Sequence, residues 1–89
     1  VVDNVAYSLS EYIETTTNNH VWRCLHRPNE FIISGKQKHE LKVVIDDGRI
    51  LVYDMRHYDH GVIFGVDLTT SDAIQQFQEF LQSNLAFRR

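Results

Sequence analysis

The sequence predicts an α+β domain: an N-terminal helix, an antiparallel meander of about five strands, and a C-terminal helix packed on that sheet. Three observations predict it. Apolar residues recur at helical spacing near both ends of the chain. Between them, apolar residues recur with a period near two, which is the strand signal. Asp47-Gly48 sits between two such runs and marks a tight hairpin. The chain reads as one domain spanning 1–89, long enough for one modest core.

At the N-terminal end, Val2, Val5, Ala6, Leu9, Tyr12 and Ile13 fall on one helical stripe. Ser8, Ser10, Glu11 and Glu14 are left outside it. Asp3 or Asn4 is placed to cap the start, because a side-chain oxygen there accepts from free backbone N–H groups. Thr15-Thr16-Thr17-Asn18-Asn19 is expected to end the helix, since β-branched residues and Asn continue helices poorly.

Val21 to His26 reads as a first strand, and Phe31-Ile32-Ile33-Ser34 as a second. Arg27-Pro28-Asn29-Glu30 joins them as a type I turn with Pro at its second position. Gly35 to His39 is a polar turn into Leu41-Lys42-Val43-Val44-Ile45. A two-residue loop at Asp47-Gly48 then fixes the register: Asp46 faces Arg49, Ile45 faces Ile50, Val44 faces Leu51, Val43 faces Val52 and Lys42 faces Tyr53. Leu41, Val43, Ile45, Ile50 and Val52 should therefore face the core. Lys42, Val44, Leu51 and Tyr53 should form an opposite face that is more apolar than full solvation needs. In the fifth strand Val62, Phe64, Val66 and Leu68 are expected on one side, with Ile63, Gly65 and Asp67 on the other.

Thr69-Thr70-Ser71-Asp72 opens the last helix, with Thr69 and Asp72 at capping-box spacing. Ala73, Ile74, Phe77, Phe80, Leu81, Leu85 and Phe87 supply its apolar stripe. Gln75, Gln76, Gln78, Glu79 and Gln82 face out.

Charge and composition narrow the function. The net charge is −3 and the nine Lys and Arg residues are spread along the chain. That counts against a nucleic-acid binder, which neutralises phosphates with clustered cations. Lys36, Lys38, His39 and Arg88-Arg89 make groupings too short for such a footprint. No apolar run reaches the roughly 18–20 residues that span a bilayer. The single cysteine, Cys24, has no intrachain partner, and the first residues show no signal-peptide pattern. A cytoplasmic protein is the expectation.

The segment Asp54-Met55-Arg56-His57-Tyr58-Asp59-His60-Gly61 is the main candidate site. One reading makes it a partner-contact loop carried by Tyr53, Asp54, Arg56, His57, Tyr58, Asp59 and His60, alongside the apolar outer face of the sheet. Polar loops that hold aromatic residues beside an apolar patch mark interaction sites. A second reading uses His57, Asp59 and His60 as ligands of a catalytic or sensing metal, helped by His20 or His26, since zinc accepts His nitrogen and Asp oxygen. In an extended segment His57 and Asp59 share a face and His60 opposes them, which weakens it. A third reading stacks nucleic-acid bases on Trp22 and Tyr53.

His20, Trp22, Cys24 and His26 alternate on the first strand. They include legal zinc ligands, but neighbours on one strand face are about 7 Å apart, so a tetrahedral site needs ligands from another element. The simpler expectation puts Trp22 and Cys24 in the core and His20 and His26 at strand ends. Cys24 as a nucleophile lacks a cationic neighbour on its own face, because Arg23 projects the other way. No nucleophile elbow, phosphate-binding loop or His-Glu-x-x-His motif is present. The expected function is thus a small non-enzymatic module that binds another protein as regulator, adaptor or inhibitor, with no cofactor. A homo-oligomer is compatible with the same surface.

Overall fold

The computed structural model describes residues 5–17, 19–23 and 26–84. Helix α1 spans Val5–Thr17. Strands β1 (His20–Arg23), β2 (Glu30–Ser34), β3 (Glu40–Asp46), β4 (Arg49–Asp54) and β5 (Val62–Asp67) follow, and helix α2 spans Ala73–Ser83. The strands pair antiparallel in chain order, β1-β2-β3-β4-β5. This is the α+β meander that the alternation predicts.

The Asp47-Gly48 hairpin forms with every expected pair, from Asp46↔Arg49 to Lys42↔Tyr53. Asp47 and Gly48 take φ values of 51° and 72°, the positive pair that a type I′ turn requires. The turn before β2 also closes as expected, with Glu30 N donating to Arg27 O at 3.1 Å.

Both helices lie on one side of the sheet. Ala6, Leu9 and Ile13 of α1 and Ala73, Phe77 and Leu81 of α2 join Val21, Phe31, Ile33, Leu41, Val43, Ile50, Val52 and Val66 in a single core. Ile45, Phe64, Leu68 and Phe80 pack on its margin. Tyr12 Oη donates to Gln78 Oε1 at 3.2 Å, bringing the two helices together. Arg23 ties β1 to α1: its Nε donates to Ser10 Oγ at 2.8 Å, and its Nη2 lies 3.0 Å from Glu14 Oε1. Among the described residues, neither α-helix lies on the opposite sheet face.

Several expectations are corrected. The helix does end within the expected 15–19 segment, at Thr17, but the threonines themselves form its last turn. Thr15, Thr16 and Thr17 donate their hydroxyls to the carbonyls of Glu11, Tyr12 and Ile13, so side-chain bonds accompany the backbone ladder. The described part of β1 is His20–Arg23, and His26 stands in a turn rather than in the strand. Trp22 is not in the core; Val21 takes that side, because neighbouring strand residues face opposite ways. Val62 also leaves the core side. Val52 pairs with Phe64 while Tyr53 pairs with Val62, so one extra residue bulges in β5 and reverses the parity beyond it.

The start of α2 differs too. Thr69 N and Oγ1 both donate to Asp67 Oδ1 at 2.9 Å, whereas the Asp72 carboxylate accepts from Gln76 Nε2. Asp67 rather than a Thr69–Asp72 box therefore organises this turn. Ile74 lies at the exposed margin of the apolar stripe. The expected cap at Asp3 or Asn4, the stripe ends Leu85 and Phe87, and Cys24 lie outside the described residues.

Candidate functional site: the helix-free sheet face

Strand pairing builds this face row by row. Trp22 pairs with Ile32, Ile32 with Lys42, Lys42 with Tyr53, and Tyr53 with Val62. All these positions share the parity opposite to the core. Beside this row run Glu30, Val44, Leu51 and Gly65 on one flank, and His20, Ser34 and Glu40 on the other.

Trp22 is 56% exposed, yet it is held on several sides. Its Nε1 donates to Ser34 Oγ at 2.8 Å, and Ser34 Oγ donates onward to Glu40 Oε2 at 3.4 Å. The His20 ring meets the indole edge to face, with centroids 4.5 Å apart. The polar end of the indole is thus satisfied while its apolar body stays in water.

Lys42 stands at the middle of the face. Its Nζ lies 3.2 Å from Glu30 Oε1 and 5.4 Å from the centroid of the Tyr58 ring. Burial pulls the Lys42 pKa down, but the hydrogen bond and charge of Glu30, aided by Tyr58, outweigh it and the net shift is upward. Arg27 Nη1 reaches the same Glu30 oxygen at 3.7 Å. Trp22, Arg27, Glu30, Ile32, Lys42 and Met55 line a cleft of about 290 Å³ here.

The polar segment after β4 is not an extended loop. Met55–His60 forms short 3-10 turns broken at His57, whose φ and ψ of −131° and 51° are non-helical. Asp54 caps the start, its Oδ1 accepting from Arg56 N at 2.9 Å, and Gly61 leaves the turn at a φ of 76°. The coil carries Tyr58 back over the sheet, where its ring lies 5.3 Å from Tyr53 and covers Lys42. Met55 reaches the Trp22 cleft.

The structure brings together only part of the sequence-derived set. Tyr53, Tyr58 and Met55 join the face. His57 and His60 stack on each other with centroids 5.0 Å apart and planes 8° apart, both exposed, instead of His57 pairing with Asp59. Among the described residues, no three His, Cys, Asp or Glu side chains gather around one point as a metal site would require. Arg56 donates from Nη2 to Gln37 O, bracing the coil against the Lys36–Lys38 turn. Asp54 pairs with His39, Nε2 to Oδ2 at 3.2 Å, not with either loop histidine. Burial pushes the Asp54 carboxyl up, but the Arg56 N–H, the His39 hydrogen bond and the charges of His39 and His57 hold it below its ordinary value.

Sequence reasoning missed Glu30 and Ile32 as members of this surface, and named Trp22 only as a base-stacking platform beside Tyr53. The β3–β4 register did place Lys42 beside Tyr53, and extending it through β2 would have found Ile32. Nothing in the local pattern chose between Val21 and Trp22 for the core, because both are apolar.

Among the described residues no helix is long and apolar enough to cross a membrane. In comparisons with protein-family models, curated proteins and solved structures, none matches the chain.

Proposed function

We propose that this chain is a non-enzymatic binding module that docks another protein on its helix-free sheet face. One observation carries the reading: Trp22 is both exposed and fixed. A free indole in water normally gains from burial. One already locked by Ser34 and His20 loses little further freedom when a partner covers it. Tryptophan and tyrosine are enriched among the residues that dominate binding energy. Tyr58, Met55, Val62 and Ile63 are exposed around the same face, so the apolar surface extends well past one residue. The groups that converge here are rings, methyl groups and one ion pair, which is the chemistry of contact.

Partner capture by the wild-type chain, compared with Trp22→Ala and with Gln75→Ala on the outer side of α2, tests this. A discrete protein that the wild type and the Gln75 variant retain, that Trp22→Ala loses, and that binds again when purified is the expected result. Equal retention by Trp22→Ala would overturn the reading.

A further inference from the structure

We infer that the Trp22 cleft receives an apolar side chain flanked by carboxylates, so that the partner presents an acidic peptide segment. This inference rests on the docking reading of the sheet face and specifies the occupant.

The size of the cleft sets the first constraint. A volume of about 290 Å³ lies at the lower limit for small-molecule sites, which run from roughly 300 to 1,000 Å³. It suits one inserted side chain better than a cofactor. Trp22, Ile32 and Met55 provide apolar walls for it.

Charge sets the second. A single carboxylate, Glu30 Oε1, serves both Lys42 at 3.2 Å and Arg27 at 3.7 Å. Two cations against one carboxylate leave the rim positive, in a chain whose net charge is −3. Arg23 also borders the cleft but is engaged by Glu14 on the helix side. The Arg27 side chain is 64% exposed, so its guanidinium is open to a second carboxylate. A basic segment would meet these cations head-on, and like charges placed together suppress a wrong partner. An acidic segment is drawn to this positive rim despite the overall charge. At physiological salt, repulsion from acidic groups beyond about 8 Å is screened while contact pairs persist.

Trp22 is the only tryptophan in the chain, so its emission reports this cleft directly. The probes are a blocked pentapeptide with a central phenylalanine between glutamates, the same peptide with lysines, and a single-stranded oligothymidylate of similar charge. The expected result is a saturable change in Trp22 emission with the acidic peptide, at least about tenfold tighter than with the basic one. Arg27→Gln keeps the reporter and should weaken acidic binding by about tenfold, with the melting temperature nearly unchanged, since Arg27 is a surface residue whose pair with Glu30 is long. Equal binding of the two peptides, or binding of neither, overturns the inference. So does oligothymidylate binding as tightly as the acidic peptide, which would assign the site to nucleic acid. An emission change that follows protein concentration alone would assign it to a second copy of the chain. Peptide failure with Trp22-dependent partner capture removes the acidic assignment only. Trp22-independent capture removes the docking surface itself.

Discussion

His39 Nε2 lies 3.2 Å from Asp54 Oδ2, tying the turn before β3 to the last residue of β4. Both side chains are largely shielded, with 17% and 16% exposed. The pair closes the end of the sheet from which the 55–60 coil departs.

The surroundings of Asp54, where burial is outweighed by the Arg56 N–H first and His39 second, give a pH dependence with a definite sign. The Asp54 carboxyl is held below its ordinary value in the folded chain. Its contribution is therefore complete above the unfolded pKa, about 3.9 for Asp, and is lost as pH falls through the lower folded value. Glu14 and Asp67 shift in the same direction, Glu14 chiefly through its hydrogen bond from Arg23 and Asp67 through the backbone N–H of Thr69. Asp54→Asn should flatten the decline in stability below about pH 4. Urea denaturation of both proteins from pH 2 to 6 checks this; parallel curves would show that Asp54 contributes nothing.

The core prediction rests on Phe77 and Phe64. Phe77 is fully buried, and Phe64 stacks on Phe80 with centroids 4.7 Å apart. Phe77→Ala should cost about 3–5 kcal/mol, a large share of what a domain this small possesses. Phe64→Ala should cost less, because its ring is only partly buried. Denaturation midpoints rank the two.

Gly48 and Gly65 form a matched pair of tests. A side chain at Gly48 would meet nothing within 4 Å, so the whole cost is the positive φ. Gly48→Ala should cost about 1–2 kcal/mol, and Gly48→Val more, because β-branching is worse there. A Cβ at Gly65 would sit 3.5 Å from Leu51 Cδ2, an ordinary contact, with no positive φ. Gly65→Ala should leave the melting temperature nearly unchanged. Equal effects at both sites would refute the turn assignment.

The 55–60 coil should separate stability from binding. His57 and His60 are exposed and touch chiefly each other, so replacing both by Ala should change stability by no more than about 0.5 kcal/mol. Tyr58→Ala uncovers Lys42 and Tyr53 and should weaken partner binding more than either histidine change. A chelator should leave the melting temperature where it was, because metal binding would be linked to folding. A chelator-induced drop in calorimetry would restore the metal reading of His57, Asp59 and His60.

The sequence was most legible where two signals agreed. In β3 and β4, alternation and the Asp47-Gly48 turn specify the same register, and every expected pair forms. Legibility ended where alternation had no contrast. Val62, Ile63 and Phe64 are all apolar, so the extra residue in β5 left no mark, and Val62 was assigned to the wrong side. Val21-Trp22 posed the same ambiguity at the edge strand. Residues 55–60 have no apolar period, so a 3-10 coil and an extended loop read alike. The His57–His60 contact and the path of Tyr58 both depend on that difference.

The strand order β1-β2-β3-β4-β5 has a kinetic consequence. Each strand finds its partner in the next stretch of chain, so little loop entropy is lost before a pairing is rewarded. Topologies with such short sequence separations fold quickly for their size. The Asp47-Gly48 hairpin is the natural starting point, since its ends are already adjacent. The meander can then grow outward in both directions, with α1 and α2 closing over one side at the end. Substitutions near Gly48 should therefore slow folding, whereas those in α1 should mainly hasten unfolding.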